Sequence, residues 1–229
     1  MQAVDTYLAD APVAGRAVYS WPDIVGRLEK IDRGEFHHRT LIYRHVQTEY
    51  NAANLITGQR NVDLTGLGRD AARQLRNLLP ERFDAVYCSA LKRAIDTADL
   101  ALRQQPGRPV IVDARFNEVG LGTLEGQRRR YISAFAMGDI DFAPPAGESY
   151  RTAAQRIFSA FIDLCERALD RHCASTDLVF AHAGVMRILA TLVIRMDNPT
   201  MMFALRFHKE RRLEIENHMI RVPSFWYLR

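Results

Sequence analysis

The sequence predicts an α/β protein, a three-layer sandwich with a mostly parallel central sheet flanked by helices. Short apolar segments typical of buried strands alternate with longer segments whose apolar residues recur at helical spacing. This alternation predicts a layered fold in which most strands run parallel. The length of 229 residues, 48% of them hydrophobic, suits one domain with an ordinary core.

Six segments have the composition of strands. Each is short, rich in β-branched or aromatic residues, and bounded by turn-forming residues. The first four strands are predicted at residues 39–43, 83–88, 109–113 and 177–181. The last two are predicted near residues 201–207 and within residues 211–222, "RRLEIENHMIRV".

Five segments have the apolar spacing of amphipathic helices. They are predicted at residues 21–34, 66–79, 91–104, 149–172 and 185–195. The first of them lies within residues 1–38, which we interpret as an N-terminal extension, because the polar join "EFHHRT" separates it from the alternating pattern. The main domain is therefore expected to span residues 39–229.

Composition and charge narrow the possible partners. A net charge of +4 and a pI near 9.1 favour anionic partners. Basic and aromatic residues are not interleaved, so we expect no nucleic-acid partner. The cysteines, Cys88, Cys165 and Cys173, lack C-x-x-C spacing, which argues against a zinc ribbon or disulfide framework. Without a signal-peptide pattern or a long apolar run, we expect a cytoplasmic protein with no membrane partner; its oligomeric state stays open.

Polar side chains follow four of the predicted strands. Arg44 and His45 end the first strand, Arg93 follows the second, Glu118 lies in a glycine-rich loop after the third, and His182 ends the fourth. In open α/β sheets, ligands bind beyond the carboxyl ends of the strands. We therefore expect two histidines, two arginines and one glutamate to meet at one edge.

This set of side chains suits phosphoryl transfer. A neutral imidazole attacks phosphorus, guanidinium groups bind the nonbridging oxygens, and a carboxylic acid protonates the leaving oxygen. The chemistry requires neither a metal ion nor another cofactor. Each group alone also has a structural interpretation, as a surface turn, a hydrogen-bonded core histidine or a solvated loop glutamate. Their shared position after strands favours catalysis.

Five sequence blocks then resemble the histidine phosphatase superfamily, which has the phosphoglycerate mutase-like fold. "RHVQTEYN" is similar to the family's R-H-G-E-T-x-W-N, and "TGQRNVDLTGLG" to T-G-x-x-D-x-x-L-T-x-x-G. "CSALKRAIDTA" is similar to S-x-L-x-R-A-x-Q-T-A, and "NEVGLGTLEG" to E-x-x-x-G-x-x-E-G. "FAHAGVMRIL" is similar to H-G-G-V-I-R, so the blocks span residues 41 to about 195 in order.

The resemblance assigns a role to each matching residue. It implies that His45 is the nucleophile that becomes phosphohistidine and that Glu118 is the proton donor. It implies that Arg44, Arg93 and His182 form the phosphate pocket. The remaining matches, at positions that line the phosphate or substrate site, are Asn51, Thr57, Gly58 and Ala183.

The sequence departs from the family pattern at several positions. Val46 replaces the glycine after the nucleophile, and a β-branched side chain there predicts a narrower pocket or a displaced loop. Gln47 replaces an acidic residue, which reduces negative charge beside the phosphate. The milder departures are Asn61, Asp96 and Ala183.

The resemblance implies a metal-independent phosphomonoesterase of histidine acid phosphatase type. Its substrate would be a small phosphorylated metabolite or a phosphorylated protein. Only a short insert, at about residues 127–148, follows the acid loop, and this favours a phosphatase over a mutase. A mutase and a weakly active or noncatalytic phosphate-binding protein remain open alternatives.

Other motifs carry less information. The short insert is interpreted as a cap, in which Arg128, Arg129 and Arg130 either contact an anionic substrate or form a solvated helix start. "GLGRDA" fits a dinucleotide-binding pattern but does not follow a long apolar strand. His37 and His38 are interpreted as a solvated join, because no carboxylate or cysteine lies at a recurring ligand spacing.

Overall fold

The protein is described by a computed structural model that covers residues 17–103, 109–129, 132–207 and 212–228. Five strands form one sheet in the order β3-β2-β4-β1-β5. They are β1 (His38–Arg44), β2 (Ala85–Cys88), β3 (Val110–Val112), β4 (Ser175–Ala181) and β5 (Arg212–Glu216). The first four are parallel and β5 is antiparallel to β1, which confirms a mostly parallel sheet.

Eight α-helices lie in the described residues. They are α1 (Trp21–Asp32), α2 (Glu49–Ala52), α3 (Gly66–Leu75), α4 (Lys92–Leu102), α5 (Ser133–Ala136), α6 (Tyr150–Leu169), α7 (Ala183–Ala190) and α8 (Pro199–Ala204). The hydroxyls of Ser20, Thr65 and Ser149 cap α1, α3 and α6 by accepting an N–H from the first turn. In the part of the chain that is described, no helix has the length and apolar character needed to cross a membrane.

The two faces of the sheet carry separate hydrophobic clusters. In β4, Leu178 and Phe180 face α3 and α4, whereas Val179 and Ala181 face the cluster built with α1, α6 and α7. Because side chains alternate along a strand, one fully buried strand supplies both layers. The structure thus confirms the three-layer α/β sandwich.

The N-terminal part that is described packs into this core. Ile24, Leu28 and Ile31 of α1 are buried in the same cluster as α6. Trp21 stacks on Trp226 near the C-terminal end, with ring centroids 6.2 Å apart. Within residues 17–38, the region set apart as an extension therefore shares its hydrophobic core with the main domain. Residues 1–16 lie outside the described residues.

The prediction of a strand near residues 201–207 is wrong, because this segment contains α8. Asn198 caps the helix by accepting the N–H of Thr200, and Pro199 occupies the first helical position. Proline favours that position because its fixed φ suits a helix and its missing N–H has no partner there. The last strand is also shorter than predicted, since a 3₁₀ turn at Asn217–Met219 follows β5.

One core histidine at the start of β1 links stability to pH. The prediction that His38 belongs to a solvated join is wrong. His38 is buried, and its ring nitrogens contact the hydroxyls of Ser175 and Thr40 at 2.9 and 3.0 Å. Burial and the nearby Arg171 lower the pKa of His38 to about 4. The unfolded chain, with an ordinary pKa of about 6.5, therefore takes up a proton at a higher pH than the native protein does.

We expect this difference to destabilise the protein as pH falls from about 6.5 to about 4, with no effect above that window. The contribution is up to about 1.4 kcal/mol per pH unit. His38→Gln, which does not titrate, should therefore lose less stability than the wild type between pH 7.5 and pH 5 in urea unfolding. Parallel pH dependences for the two proteins would contradict this origin of the acid sensitivity.

Candidate active site

A cleft of about 640 Å³ opens at the carboxyl edge of the sheet. Its lining includes most of the residues that sequence analysis selected: Arg44, His45, Asn51, Thr57, Gly58, Arg93, Glu118 and Ala183. His182 lies beneath this lining and is fully buried. The ends of four parallel strands thus bring the predicted site residues together.

His45 is fixed at the end of β1 with a defined ring orientation. Its backbone N–H donates to the carbonyl of Ala181, which continues the pairing of β1 with β4. Its ring Nδ1 lies 2.8 Å from the carbonyl oxygen of Val46. A carbonyl only accepts, so Nδ1 carries the proton and the lone pair of the neutral ring lies on Nε2. This is the tautomer that a nucleophilic imidazole needs.

Arg93 lies in the first turn of α4, and its guanidinium is held by backbone carbonyls. Nη2 donates to the carbonyl of Gly58 at 2.7 Å and Nη1 to that of Arg60 at 2.9 Å. Burial lowers the pKa of Arg93 to about 10, although Glu118 and Glu125 oppose this shift. Arg93 is therefore still a cation at neutral pH, and its donors are already oriented.

Arg44 supplies a second guanidinium, which is partly buried. Its Nη1 donates to the carbonyl of Phe207 at 3.1 Å. Burial lowers the pKa of Arg44, and Glu118 offsets part of that shift. An anion bound in the cleft would restore the electrostatic stabilisation that burial removes from both arginines.

His182 is oriented by a relay that sequence analysis did not identify. Its Nε2 lies 2.7 Å from the hydroxyl of Ser89, and that hydroxyl donates to the side-chain carbonyl of Asn117. The Ser89 hydroxyl therefore accepts the Nε2–H of His182. In the neutral ring, Nδ1 then carries the lone pair. Burial, with Arg93 and then His45 as the next causes, lowers the pKa of His182 well below its usual value. His182 and His45 are close, with ring centroids 5.2 Å apart.

Four buried side-chain polar atoms have no hydrogen-bond partner in the described part of the chain. They are Arg44 Nε, Thr57 Oγ1, Arg93 Nε and His182 Nδ1. All four belong to the residues predicted to bind phosphate. An unsatisfied buried polar group costs about 1–3 kcal/mol, so their concentration in one pocket points to a ligand that satisfies them.

Glu118 lies in the loop after the 3₁₀ turn Ala114–Phe116, and its carboxylate contacts the first turn of α7. Its carboxylate accepts the backbone N–H of Gly184 at 3.0 and 3.2 Å and that of Val119 at 3.0 Å. Arg156 stabilises this loop by donating hydrogen bonds to the backbone carbonyls of Asn117 and Glu118. Glu118 is therefore held beside the pocket by backbone contacts on both of its sides.

The cleft is also lined by further cations and aromatic rings. Arg129, Arg187 and Arg206 line it in addition to Arg44 and Arg93. Arg187 lies four residues after Ala183, so both project from the same side of α7, a spacing from which sequence analysis could have identified it. Of the three arginines considered in the cap, only Arg129 is among these lining residues, and Arg130 is outside the described residues.

The cap is joined to the cleft through aromatic contacts. Phe135 of α5 stacks on Phe203 of α8 and meets Tyr150 of α6 edge to face. All three rings also line the cleft. The insert therefore contributes to the lining of the cleft through Phe135.

The expectation that Val46 narrows the pocket is wrong. Its side chain is buried against Leu64 and Ala72, and it is not part of the cleft lining. Its backbone is not in the left-handed region that favours glycine. The carbonyl of Val46 orients His45, and its side chain fills a small hydrophobic cluster. A smaller residue would remove apolar burial without widening the cleft.

Gly184, in contrast, has no room for a side chain. A Cβ there would lie 2.2 Å from the Glu118 carboxylate, so Gly184→Ala should push the carboxylate aside without breaking α7. We expect kcat to fall tenfold or more with alkyl phosphates, within the range that general acids contribute. The loss should be smaller with p-nitrophenyl phosphate, whose leaving group needs less protonation.

Steady-state kinetics with the two substrates test this expectation. Gly120→Ala, in the loop that carries Glu118, is a matched control, because its Cβ would meet only ordinary contacts, the nearest at 3.5 Å. Equal losses with both substrates would show that Gly184→Ala acts on something other than leaving-group protonation.

Comparison with known proteins agrees with this geometry. Residues 40–222 match the histidine phosphatase superfamily (branch 1). The chain is 35% identical to a glucosyl-3-phosphoglycerate phosphatase of Mycolicibacterium vanbaalenii, over 70% of this chain and 76% of the relative. It is 32% identical to a 2,3-bisphosphoglycerate-dependent phosphoglycerate mutase of Azorhizobium caulinodans, over 68% and 81% of the two chains.

Solved structures agree as well. The α-ribazole phosphatase of Shigella flexneri superposes with a TM-score of 0.67 at 26% identity, over 81% of this chain and 95% of that one. The sequence match, the fold and the grouping of the site residues lead to one conclusion. The chain belongs to the histidine phosphatase superfamily.

Proposed function

We propose that the protein is a phosphatase that hydrolyses phosphomonoesters through a phosphohistidine on His45. The observation that carries this proposal is the group of unpartnered buried polar atoms on Arg44, Thr57, Arg93 and His182. Two guanidinium N–H groups and a hydroxyl donate to the phosphoryl oxygens, as they would to an oxyanion. His182 gains a proton when the dianion binds, because the added negative charge raises its pKa.

The first step forms the phosphoenzyme. The lone pair on Nε2 of His45 attacks phosphorus while the bond from phosphorus to the ester oxygen breaks. Glu118, as a carboxylic acid, gives its proton to the departing alkoxide. The three nonbridging oxygens stay bound to the arginines and His182, which stabilise the charge on the transferring group.

The second step regenerates the enzyme. Glu118, now a carboxylate, takes a proton from a water molecule whose oxygen attacks the phosphohistidine. Inorganic phosphate leaves, and His45 returns to the tautomer set by the carbonyl of Val46. Side chains of the protein supply both the nucleophile and the acid. We therefore propose that the enzyme is of the histidine acid phosphatase type.

The lining of the cleft indicates the class of substrate. We propose a small phosphorylated metabolite that carries a second anionic group, because Arg129, Arg187 and Arg206 line the cleft in addition to Arg44 and Arg93. A cleft of about 640 Å³ suits a small molecule. One relative is named for glucosyl-3-phosphoglycerate, whose phosphate and carboxylate fit this pattern. Phosphorylated proteins remain a second substrate class for the same phosphate pocket.

A mutase would use the same phosphohistidine. Because two relatives at 32% identity are mutases, a mutase is the alternative function. The two activities differ in the fate of the phosphoryl group, which reaches water in a phosphatase and returns to the substrate in a mutase. Incubation with 3-phosphoglycerate separates them: we expect inorganic phosphate, and isomerisation without phosphate release would favour the mutase.

His45→Ala should abolish turnover, because no other group replaces the covalent step. The measurement is phosphate release from p-nitrophenyl phosphate, combined with a detergent quench at alkaline pH of a reaction with phosphate-labelled substrate. Wild type should retain label that later acid treatment releases, and the variant should retain none. Thermal stabilisation by inorganic phosphate checks that the variant still folds and binds. A folded variant with a tenth of the wild-type rate would sink the phosphohistidine proposal.

Arg187→Gln should reduce the preference for substrates with a second anion. We compare kcat/KM for 3-phosphoglycerate and for glycerol 3-phosphate, which lacks the carboxylate. The ratio should fall about tenfold in the variant, since hydrogen bonds to charged groups contribute about 1.5–3 kcal/mol. Arg195→Gln, an exposed arginine outside the cleft lining, is the control. An unchanged ratio in Arg187→Gln would remove Arg187 from substrate selection.

A further inference from the structure

Three side chains with metal-ligating atoms meet at the amino end of β1. Nε2 of His37 lies 3.5 Å from Oε2 of Glu216, and Nε2 of His218 lies 3.3 Å from the same oxygen. One potential ligand atom from each side chain lies within 4.8 Å of the others. The sequence pattern predicts a solvated join at His37, because no carboxylate or cysteine lies at a recurring ligand spacing.

The backbone of this cluster is fixed by hydrogen bonds. Asn217, itself buried, accepts the N–H of His38 at 2.9 Å and donates to the carbonyls of Ile31 and Phe36. The carbonyl of His37 accepts the N–H of Ser175. The segment before β1 is therefore attached to the end of β5 on both sides of His37. Because the backbone is already fixed, ligand binding has to restrict only the rotation of the three side chains.

The distances fit a tetrahedral metal ion. Zinc is bound at about 2.0–2.1 Å by histidine nitrogen and 2.0–2.2 Å by carboxylate oxygen, so two ligand atoms on one tetrahedral edge lie about 3.4 Å apart. The two observed nitrogen to oxygen distances, 3.3 and 3.5 Å, lie on either side of that value. Two imidazoles and one carboxylate also suit a transition metal better than magnesium or calcium, which prefer oxygen ligands.

We propose that His37, Glu216 and His218 form a binding site for one zinc-class divalent transition metal ion, with a remaining coordination position open to solvent. The side chains are 49%, 31% and 53% exposed, so an ion reaches them without opening the fold. The bound ion connects the entry to β1 with the end of β5. Its role is structural, because eight residues of nearly extended chain, roughly 25 Å, separate His37 from His45.

Zinc titration of the full chain tests the site. Isothermal titration at pH 7.5 uses a Cys173→Ser background, because Cys173 is an exposed thiol that would compete for zinc. We expect one equivalent of zinc to bind, and His218→Ala to weaken binding by at least about tenfold, since even outer-shell changes cost that much in metal sites. His172→Gln, an exposed histidine outside the cluster, should bind zinc as the background does.

A stability measurement completes the test. Zinc should raise the melting temperature of the background protein and leave that of His218→Ala unchanged. No binding at zinc concentrations up to about a hundred micromolar, or equal binding by the background and by the combined His37→Ala and His218→Ala variant, would overturn the proposal. Chelation should leave phosphatase turnover unchanged in either case.

Discussion

The burial of arginine charge at one sheet edge is the constraint on which the rest of the site depends. Arg93 is fully buried and Arg44 is partly buried, and a buried charge without partners costs several kcal/mol. The chain meets this cost with backbone carbonyls: the segment after Thr57 turns so that the carbonyls of Gly58 and Arg60 face Arg93. The path of that loop is therefore set by the guanidinium that it surrounds, and the same carbonyls aim the remaining donors at the pocket.

Two loops that carry no nucleophile keep this arrangement rigid. Glu125 accepts the N–H of Gln59 from the arginine-binding loop and the N–H of Leu121 from the loop that carries Glu118. Gln59 also donates to the carbonyl of Glu118, so the phosphate-binding and proton-donating loops are joined directly. Gly58 has to be glycine here, because its φ is +52° and a Cβ would lie 2.0 Å from Glu125. A change in either loop would therefore move both functional groups.

Much of the site follows from one rule applied to the sequence, because parallel strands place their carboxyl ends at one edge. His45, reached through β1, and His182, reached through β4, meet for this reason alone. The rule does not reach contacts that join different segments, such as the Ser89 and Asn117 relay, since neither residue signals the other in sequence. The rule also does not give the direction of the Val46 side chain, because the alternation that orients side chains ends where the strand ends. The helix at residues 199–204 was missed because six residues are too few to show a helical period.

The unpartnered donors of the pocket also connect ligand binding with stability. Within the described residues, the Thr57 hydroxyl and the two guanidinium Nε groups are buried without a hydrogen-bond partner, and a buried group of this kind costs about 1–3 kcal/mol. The sheet must supply that free energy through strands such as β4, whose central residues are fully buried between two hydrophobic clusters. A phosphoryl group restores the missing hydrogen bonds, so its binding free energy includes relief of this cost. Hydrogen bonds to an ionised oxyanion are stronger than those to a neutral acceptor. The dianion is therefore favoured over neutral ligands of the same shape.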